Sequence, residues 1–193
     1  VEAAGNEEIW MADRRTQIGD AIIETLARAG SRGLTHRAVD EAAGLPPGST
    51  SYYLRTRGSL FDAAAERLAE SDSTAIRRRK GESLAQLLVR LVDELRSADR
   101  DRTLARYELS LEAVRRPELR GALEAGSQRV RRMIADQLTD DGSEDADRLA
   151  GDVMALLDGL LLRELTAPEG WRNSRTELRR AIERVLPMAA AGA

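Results

Sequence analysis

The sequence predicts an all-helical protein, with three short N-terminal helices ahead of a larger helical bundle. Three observations carry this. Apolar residues recur every three or four positions in segment after segment, and no useful run alternates apolar with polar as a half-buried strand would. Aromatic residues make up only 3% of the chain, so the core must come from Leu, Ala, Ile and Val. Those residues, with many Arg and Glu, favour helix over strand. Cap-forming residues such as Thr35, Gly44 and Ser174 stand at the ends of the apolar stripes.

The first helix is expected from Arg14 to Ala29. Ile18, Ile22 and Leu26 repeat every four residues, and Ile23 widens the stripe. Val1 to Asp13 carries little pattern and reads as a loose leader. Gly30 is expected to end the helix in the left-handed region. Arg14 and Arg15 then fall at a helix start, where the macrodipole disfavours cations and an anion would compensate.

A short second helix spans Thr35 to Ala43, with Thr35 as N-cap and Gly44 as C-terminal cap. Ala38, Val39, Ala42 and Ala43 form its small apolar face. Pro46 and Pro47 are expected to open the third helix, because proline's missing N–H costs nothing in a first turn. Gly48, Ser49, Thr50 and Ser51 give this helix a thin tip with free N–H groups and short hydroxyls. Leu54 anchors it, and Thr56 can cap the next helix. That fourth helix is expected from Gly58 to about Lys80. It buries Leu60, Phe61, Ala64, Ala65 and Leu68 and ends in the cations Arg77 to Lys80, which suit a helix C-terminus.

The remainder reads as helix after helix. The stripes are Leu84, Leu87, Leu88, Leu91, Val92 and Leu95; Leu104, Tyr107, Leu111 and Val114; and Leu119 through Leu138. The acidic loop Thr139 to Asp147 lacks the alternating Asp pattern of a calcium site, and its acids suit the start of the next helix. Leu149 to Leu165 is apolar almost all round, which predicts a helix buried in the core and against a second subunit. Ser174 and Glu177 have the spacing of a capping box. Leu178, Ile182, Val185 and Leu186 line the last helix, and Pro187 precedes a small-residue tail.

Composition narrows the function. The chain has 193 residues, enough for one or two compact domains. With no Cys and a single His, thiolate metal sites, most zinc sites and Ser-His-Asp catalysis are poorly served. No nucleophile–base pair or Gly-rich phosphate loop is present either, so an enzyme is not expected, and neither is a metal or cofactor. No segment has the roughly 18 apolar residues of a membrane span, and the first residues lack the pattern of a secretory signal. A cytoplasmic protein is expected. The net charge is −3, yet Arg14 to Arg57 holds seven Arg against four acids. A basic N-terminal quarter on an acidic chain points to local, oriented contact with DNA.

The run Thr35 to Leu60 resembles the signature of the tetracycline-repressor-like (TetR) family of transcriptional regulators. Thr35 opens the second helix, Ala42-Ala43-Gly44 ends it, and Gly48 sits in the turn to a short recognition helix. Tyr52-Tyr53-Leu54 fills the aromatic stretch, Arg57 stands at the usual basic position, and Leu60 at the usual Leu. Pro46 stands where the family commonly has Ser or Thr, Ser51 where it has an aromatic, Leu54 where it has Phe and Arg57 where it has Lys. The resemblance implies a DNA-binding helix-turn-helix domain over residues 1–60 and a regulatory, ligand-binding and dimerisation domain over 61–193. It further implies a homodimer that binds a palindromic double-stranded operator and is released as a repressor by a small-molecule effector.

Within that frame, Thr35, Ser49, Tyr52, Tyr53 and Arg57 are the expected phosphate contacts. Pro47, Gly48, Thr50 and Ser51 are expected to approach the bases. With no Arg, Asn or Gln at the tip, readout would fall to hydroxyls, methyl groups and DNA shape. His36 is expected to be a solvated residue at the DNA edge. Tyr107, Leu111, Met133, Met154, Asp158 and Trp171 are the candidates for an effector pocket, with Asp158 read as a buried acid needing a partner. Val153, Leu156, Leu157, Leu160, Leu178, Ile182 and Val185 are the candidates for the dimer interface. A helical protein-interaction module without operator binding is the alternative function.

Overall fold

The computed structural model describes residues 2–75 and 78–186. Arg77, Pro187 and the tail after it lie outside the described residues. Nine α-helices and two 3-10 turns make up the ordered elements among those described. The helices are α1 (Glu2–Gly33), α2 (His36–Ala42), α3 (Ser49–Tyr53), α4 (Arg57–Ala75), α5 (Leu84–Arg96), α6 (Arg100–Arg115), α7 (Arg120–Asp140), α8 (Ala146–Thr166) and α9 (Arg175–Glu183). No helix is long and apolar enough to cross a membrane.

The chain divides into two compact units, one of Val1–Ser71 with Asp101–Glu124 and one of Asp72–Arg100 with Ala125–Ala193. In the first unit the predicted stripe of α1 packs inward: Ile18, Ile22, Ile23 and Leu26 are buried together with Leu34, Val39, Leu60, Phe61, Ala64 and Leu68. Burying each such side chain stabilises the unit by about 1.5–3 kcal/mol relative to exposure. Ala105, Leu109, Ala113 and Leu119 complete this core.

Two expectations about α1 are corrected. The helix begins at Glu2, so Arg14 and Arg15 lie well inside it and face no N-terminal dipole. Arg14 instead donates to Gln17 Oε1 at 2.9 Å. Gly30 does interrupt the helix, but at φ 65° and ψ −177°, away from the left-handed helical well. That backbone is essentially reserved for glycine. A Cβ there would meet the Glu108 carboxylate at 3.3 Å. The same carboxylate accepts the Ser31 N–H at 2.9 Å.

α6 also differs from expectation. Its buried residues are Thr103, Ala105, Leu109, Glu112 and Ala113. The stripe Leu104, Tyr107, Leu111 and Val114 is not its core face: Leu111 is 62% and Val114 70% exposed. The periodicity identified residues that share a side, and the opposite side packs on α1 and α4 residues in the core.

In the second unit α5 buries Leu84, Leu87, Leu88, Leu91 and Val92, behind a capping box of Ser83 and Gln86. α9 carries the predicted capping box of Ser174 and Glu177. α4 ends at Ala75 among the described residues, so Arg78, Arg79 and Lys80 are not its last turn. Arg78 instead pairs with Asp141 at 2.9 Å. Glu82 accepts from Arg90 at 2.9 Å, and that guanidinium with the Arg79 N–H holds its carboxyl at about 2.

A depressed carboxyl stabilises the fold above its unfolded value and loses that stabilisation as pH falls through its folded value. Thermal stability is therefore expected to drop between pH 4.5, the ordinary value for Glu, and about 2. Glu82→Gln should flatten that part of a melting-temperature profile. An equally steep profile in the variant would show that other carboxylates govern the acid transition.

Candidate nucleic-acid interface

The site is built from α2, α3 and the turn between them. Thr35 Oγ1 accepts the Ala38 N–H at 3.2 Å and so starts α2 as predicted. The end of α2 is a Schellman closure: Leu45 N–H donates to the Asp40 carbonyl at 2.8 Å and Gly44 N–H to the Glu41 carbonyl at 3.2 Å. Gly44 takes φ 64°, which only glycine adopts without strain. Gln17 on α1 donates to the Ala43 carbonyl at 2.9 Å, tying the end of α2 to α1.

The two prolines act differently from expectation. Ser49 N–H donates to the Pro46 carbonyl at 3.1 Å, and Gly48 has φ 91° and ψ −9°. Proline then glycine at the two centre positions is the pattern of a type II turn. α3 therefore begins at Ser49, after the prolines, and not with them.

What holds α3 is Asp40, a residue the sequence reading passed over. Its carboxylate is buried and takes the Gly48 N–H on Oδ2 and the Thr50 N–H on Oδ1, both at 2.7 Å. Burial pushes the Asp40 carboxyl up, but the hydrogen bonds from Thr50 and Gly48 outweigh it and hold the group below its ordinary range, with His36 adding to them. The negative charge also lies at the positive end of the α3 dipole. At the other end of α3, His36 Nε2 donates to the Leu54 carbonyl at 2.6 Å. His36 and Asp40 stand four residues apart on one face of α2, so a single helix grips both ends of α3. His36 is thus half-buried and engaged, not a solvated edge residue. The sequence signal was available: one acid and one His, spaced i and i+4, beside the apolar positions of α2.

This grip sorts the expected DNA contacts. Thr50 is fully buried, so its side chain does not face outward with Pro47, Gly48 and Ser51, which are exposed. The expected free N–H groups at the α3 tip are largely used, because Asp40 and the Pro46 carbonyl take those of Gly48, Ser49 and Thr50. Ser49 and Ser51 donate their hydroxyl protons to the carbonyls of Pro46 and Gly48 at 2.7 and 2.8 Å. Tyr52 is 77% exposed, and its ring meets that of half-buried Tyr53 edge-on at 5.1 Å. Thr35 is exposed.

Arg57 is exposed as a residue, yet its Nη2 donates to the Ser31 carbonyl and its Nε to that of Leu34 at 3.3 Å. Its guanidinium lies 5.3 Å from the centroid of the buried Phe61 ring, and that of Arg116 lies 5.1 Å from it. Thr56 caps α4, accepting the Ser59 N–H at 3.1 Å.

The residues nominated for a ligand are drawn from both units. Tyr107 and Leu111 belong to the first unit, and Met133, Met154, Asp158 and Trp171 to the second. Leu111, Asp158 and Trp171 are exposed, while Tyr107, Met133 and Met154 are half-buried. The buried acid of α8 is Glu164 and not Asp158. Glu164 accepts from Arg96 at 2.6 Å, from Asn173 N–H at 2.9 Å and from Asn173 Nδ2 at 2.7 Å. Burial pushes its carboxyl up, and these donors more than reverse that. Arg96 also meets Asp93 at 2.6 Å, and Asp93 pairs with Arg175.

The dimer candidates divide likewise. Val153, Leu157, Leu178 and Ile182 are buried. Leu156, Leu160 and Val185 are half-buried. Among the described residues no group of three or more His, Cys, Asp or Glu is placed to hold a metal ion.

The sequence profile described as "Tetracyclin repressor-like, C-terminal domain" matches residues 79–188. The chain belongs to the tetracycline-repressor-like family. Members of this family are transcriptional regulators, and solved structures extend the likeness to the head. A member of the TetR family from Streptomyces coelicolor A3 (SCO1917) is 29% identical at a TM-score of 0.73, covering 91% of this chain and 99% of its own. The multidrug binding protein EbrR, complexed with ethidium, is 28% identical at a TM-score of 0.71, with the same coverages of 91% and 99%. A transcriptional regulator from Rhodococcus sp. Rha1 shares the fold at 20% identity and a TM-score of 0.74, covering 89% of this chain and 93% of its own. No curated protein sequence matches the chain. As a TetR-like regulator, the chain pairs an N-terminal helix-turn-helix with a helical C-terminal domain.

Proposed function

We propose that the protein is a ligand-released repressor that binds a palindromic operator as a homodimer through α3. The observation that carries this reading is the presentation of α3. Its inner side is bolted to α2 by Asp40 and His36, while Ser51 and Tyr52 stand outward beside the exposed Arg55 and Arg57. A five-residue helix has too little propensity to hold its own shape, so a fixed outward face must be imposed by its neighbours. Two such heads would read half-sites about one helical turn apart, roughly 34–36 Å. Residues 1–60 would form the DNA-binding head, with the regulatory part over 61–193.

The dimer would form through α8. Its Ala155, Gly159 and Leu162 are exposed beside half-buried Leu156 and Leu160, which leaves a low-relief apolar side for a second copy. The effector would be a small aromatic cation. EbrR is complexed in separate structures with ethidium, proflavin and malachite green, all aromatic cations. In this chain Met133 and Met154 would supply polarisable contacts and Asp158 a negative charge.

The experiment is an electrophoretic shift with duplex from around the protein's own gene, followed by titration with ethidium, proflavin and malachite green. The protein should retard that duplex in the presence of excess non-specific DNA, and at least one dye should reverse the shift at concentrations that do not release an unrelated regulator. Failure to retard it would favour a helical protein-interaction module. Retardation that no dye reverses would overturn the effector class alone.

A further inference from the structure

We infer that Glu108 on α6 is a positioning residue for DNA binding: its carboxylate fixes the turn between α1 and α2, and α2 in turn carries α3. This rests on the proposed operator binding and adds to it a residue from the part assigned to regulation. The turn begins where α1 leaves its axis. At Gly30 the backbone takes φ 65° and ψ −177°, and the next N–H, that of Ser31, meets Glu108 Oε2 at 2.9 Å. The Ser31 carbonyl is taken by Arg57 Nη2 on α4, whose Nε also donates to the Leu34 carbonyl at 3.3 Å. Ser31 to Leu34 thus runs between an anion on α6 and a cation on α4, directly ahead of the Thr35 cap of α2.

Glu108 is half-buried, and among the described residues no cation pairs with it, so the Ser31 N–H is the group its carboxylate serves. A half-buried carboxylate without a counter-charge costs free energy, which a backbone donor offsets. Gly30 leaves the room for it, since a Cβ there would stand 3.3 Å from the same oxygen. Packing backs the contact: Leu109, next to Glu108, is buried in the core that also holds Leu34 and Val39. The path onward to DNA is short. α2 starts at His36 and holds α3 through His36 and Asp40. A binding face must be held to about 0.5 Å, so a turn without Glu108 leaves α3 folded but misplaced.

The test compares the full chain as wild type, Glu108→Gln and Glu108→Ala. Both variants remove a negative charge, which by electrostatics alone would strengthen binding to DNA. Gln keeps an oxygen that accepts the Ser31 N–H, and Ala does not. Binding is followed by fluorescence anisotropy on a duplex that the wild type selects from a randomised library. Glu108→Gln should bind at least as tightly as the wild type, and Glu108→Ala about tenfold more weakly. The salt slope should stay unchanged in both, because no phosphate contact is lost. Amide hydrogen exchange without DNA should rise in Glu108→Ala over residues 31–53 and stay at the wild-type level in α5 and α8. If Glu108→Ala binds within about twofold of the wild type, or Glu108→Gln is as weak as Glu108→Ala, the inference falls while operator binding stands. Exchange that rises equally in α5 and α8 would reduce Glu108 to general stability and overturn it likewise. A wild type that enriches no sequence overturns the proposed function and this inference with it.

Discussion

Asp40→Ala should cost the protein its DNA binding and about 3 kcal/mol of the first unit's stability. Two short hydrogen bonds to a charged acceptor are lost, each worth about 1.5–3 kcal/mol. The Gly48 and Thr50 N–H groups are left without their acceptor, and a small cavity replaces a buried carboxylate. Because α3 has five residues and no side-chain cap at Gly48, the Asp40 carboxylate is the one side chain that ties its first turn to α2. Operator affinity should fall about 100-fold or more, since a recognition helix must be ordered before it binds and that ordering is then drawn from the binding energy. Asp40→Asn should recover little, because one oxygen becomes an NH2 group facing an N–H. The checks are chemical denaturation and anisotropy on one duplex. A variant that binds as tightly as the wild type would show that α3 is held from elsewhere.

Glu164→Ala should lower the stability of the second unit by about 3 kcal/mol, the cost of leaving one partner of a buried ion pair behind. Glu164 has no exposed side-chain surface and joins Arg96 on α5 to Asn173 in the segment between α8 and α9. Removing it takes from Arg96 one of its two carboxylate partners, leaving Asp93, and removes both bonds that Glu164 accepts from Asn173 ahead of α9. Asp158→Ala on the exposed surface of the same helix should change stability by less than about 0.5 kcal/mol. Parallel urea titrations would compare them. Equal losses would mean that Asp158 carries structural weight its exposure does not suggest.

That contrast marks where sequence reasoning reached its limit. Asp158, an acid in a run of leucines, is expected from the sequence to be buried, but it is exposed, and the buried acid of α8 stands six positions later at Glu164. Leu161 and Leu165 border Glu164 as fully as Met154 and Leu161 border Asp158, and apolar neighbours on both sides of a helix do not say which side is inward. The same ambiguity reversed α6. Leu104, Tyr107, Leu111 and Val114 do share a side, but Ala105, Leu109 and Ala113 are the ones that meet the core. Smaller residues there let α6 lie close, and a hydrophobicity pattern scores them below leucine and tyrosine.

The helix-turn-helix was legible because its punctuation is local. Thr35 accepts from Ala38, Gly44 and Leu45 close back onto Glu41 and Asp40, and Thr56 accepts from Ser59. Each bond spans three to five residues, so spacing alone specifies it. The α1 stripe and the capping box of Ser174 and Glu177 follow from the same short-range geometry. These features by themselves determined the helical class, the order of the first four helices and the family resemblance. Tertiary structure alone decided what grips α3, where Arg57 points and which acid of α8 is buried. Those answers join Asp40 to Thr50, Arg57 to Ser31 and Glu164 to Arg96, across separations of 10, 26 and 68 residues. Such pairs have no fixed spacing in a sequence, because packing of whole helices must first bring the partners within hydrogen-bond reach.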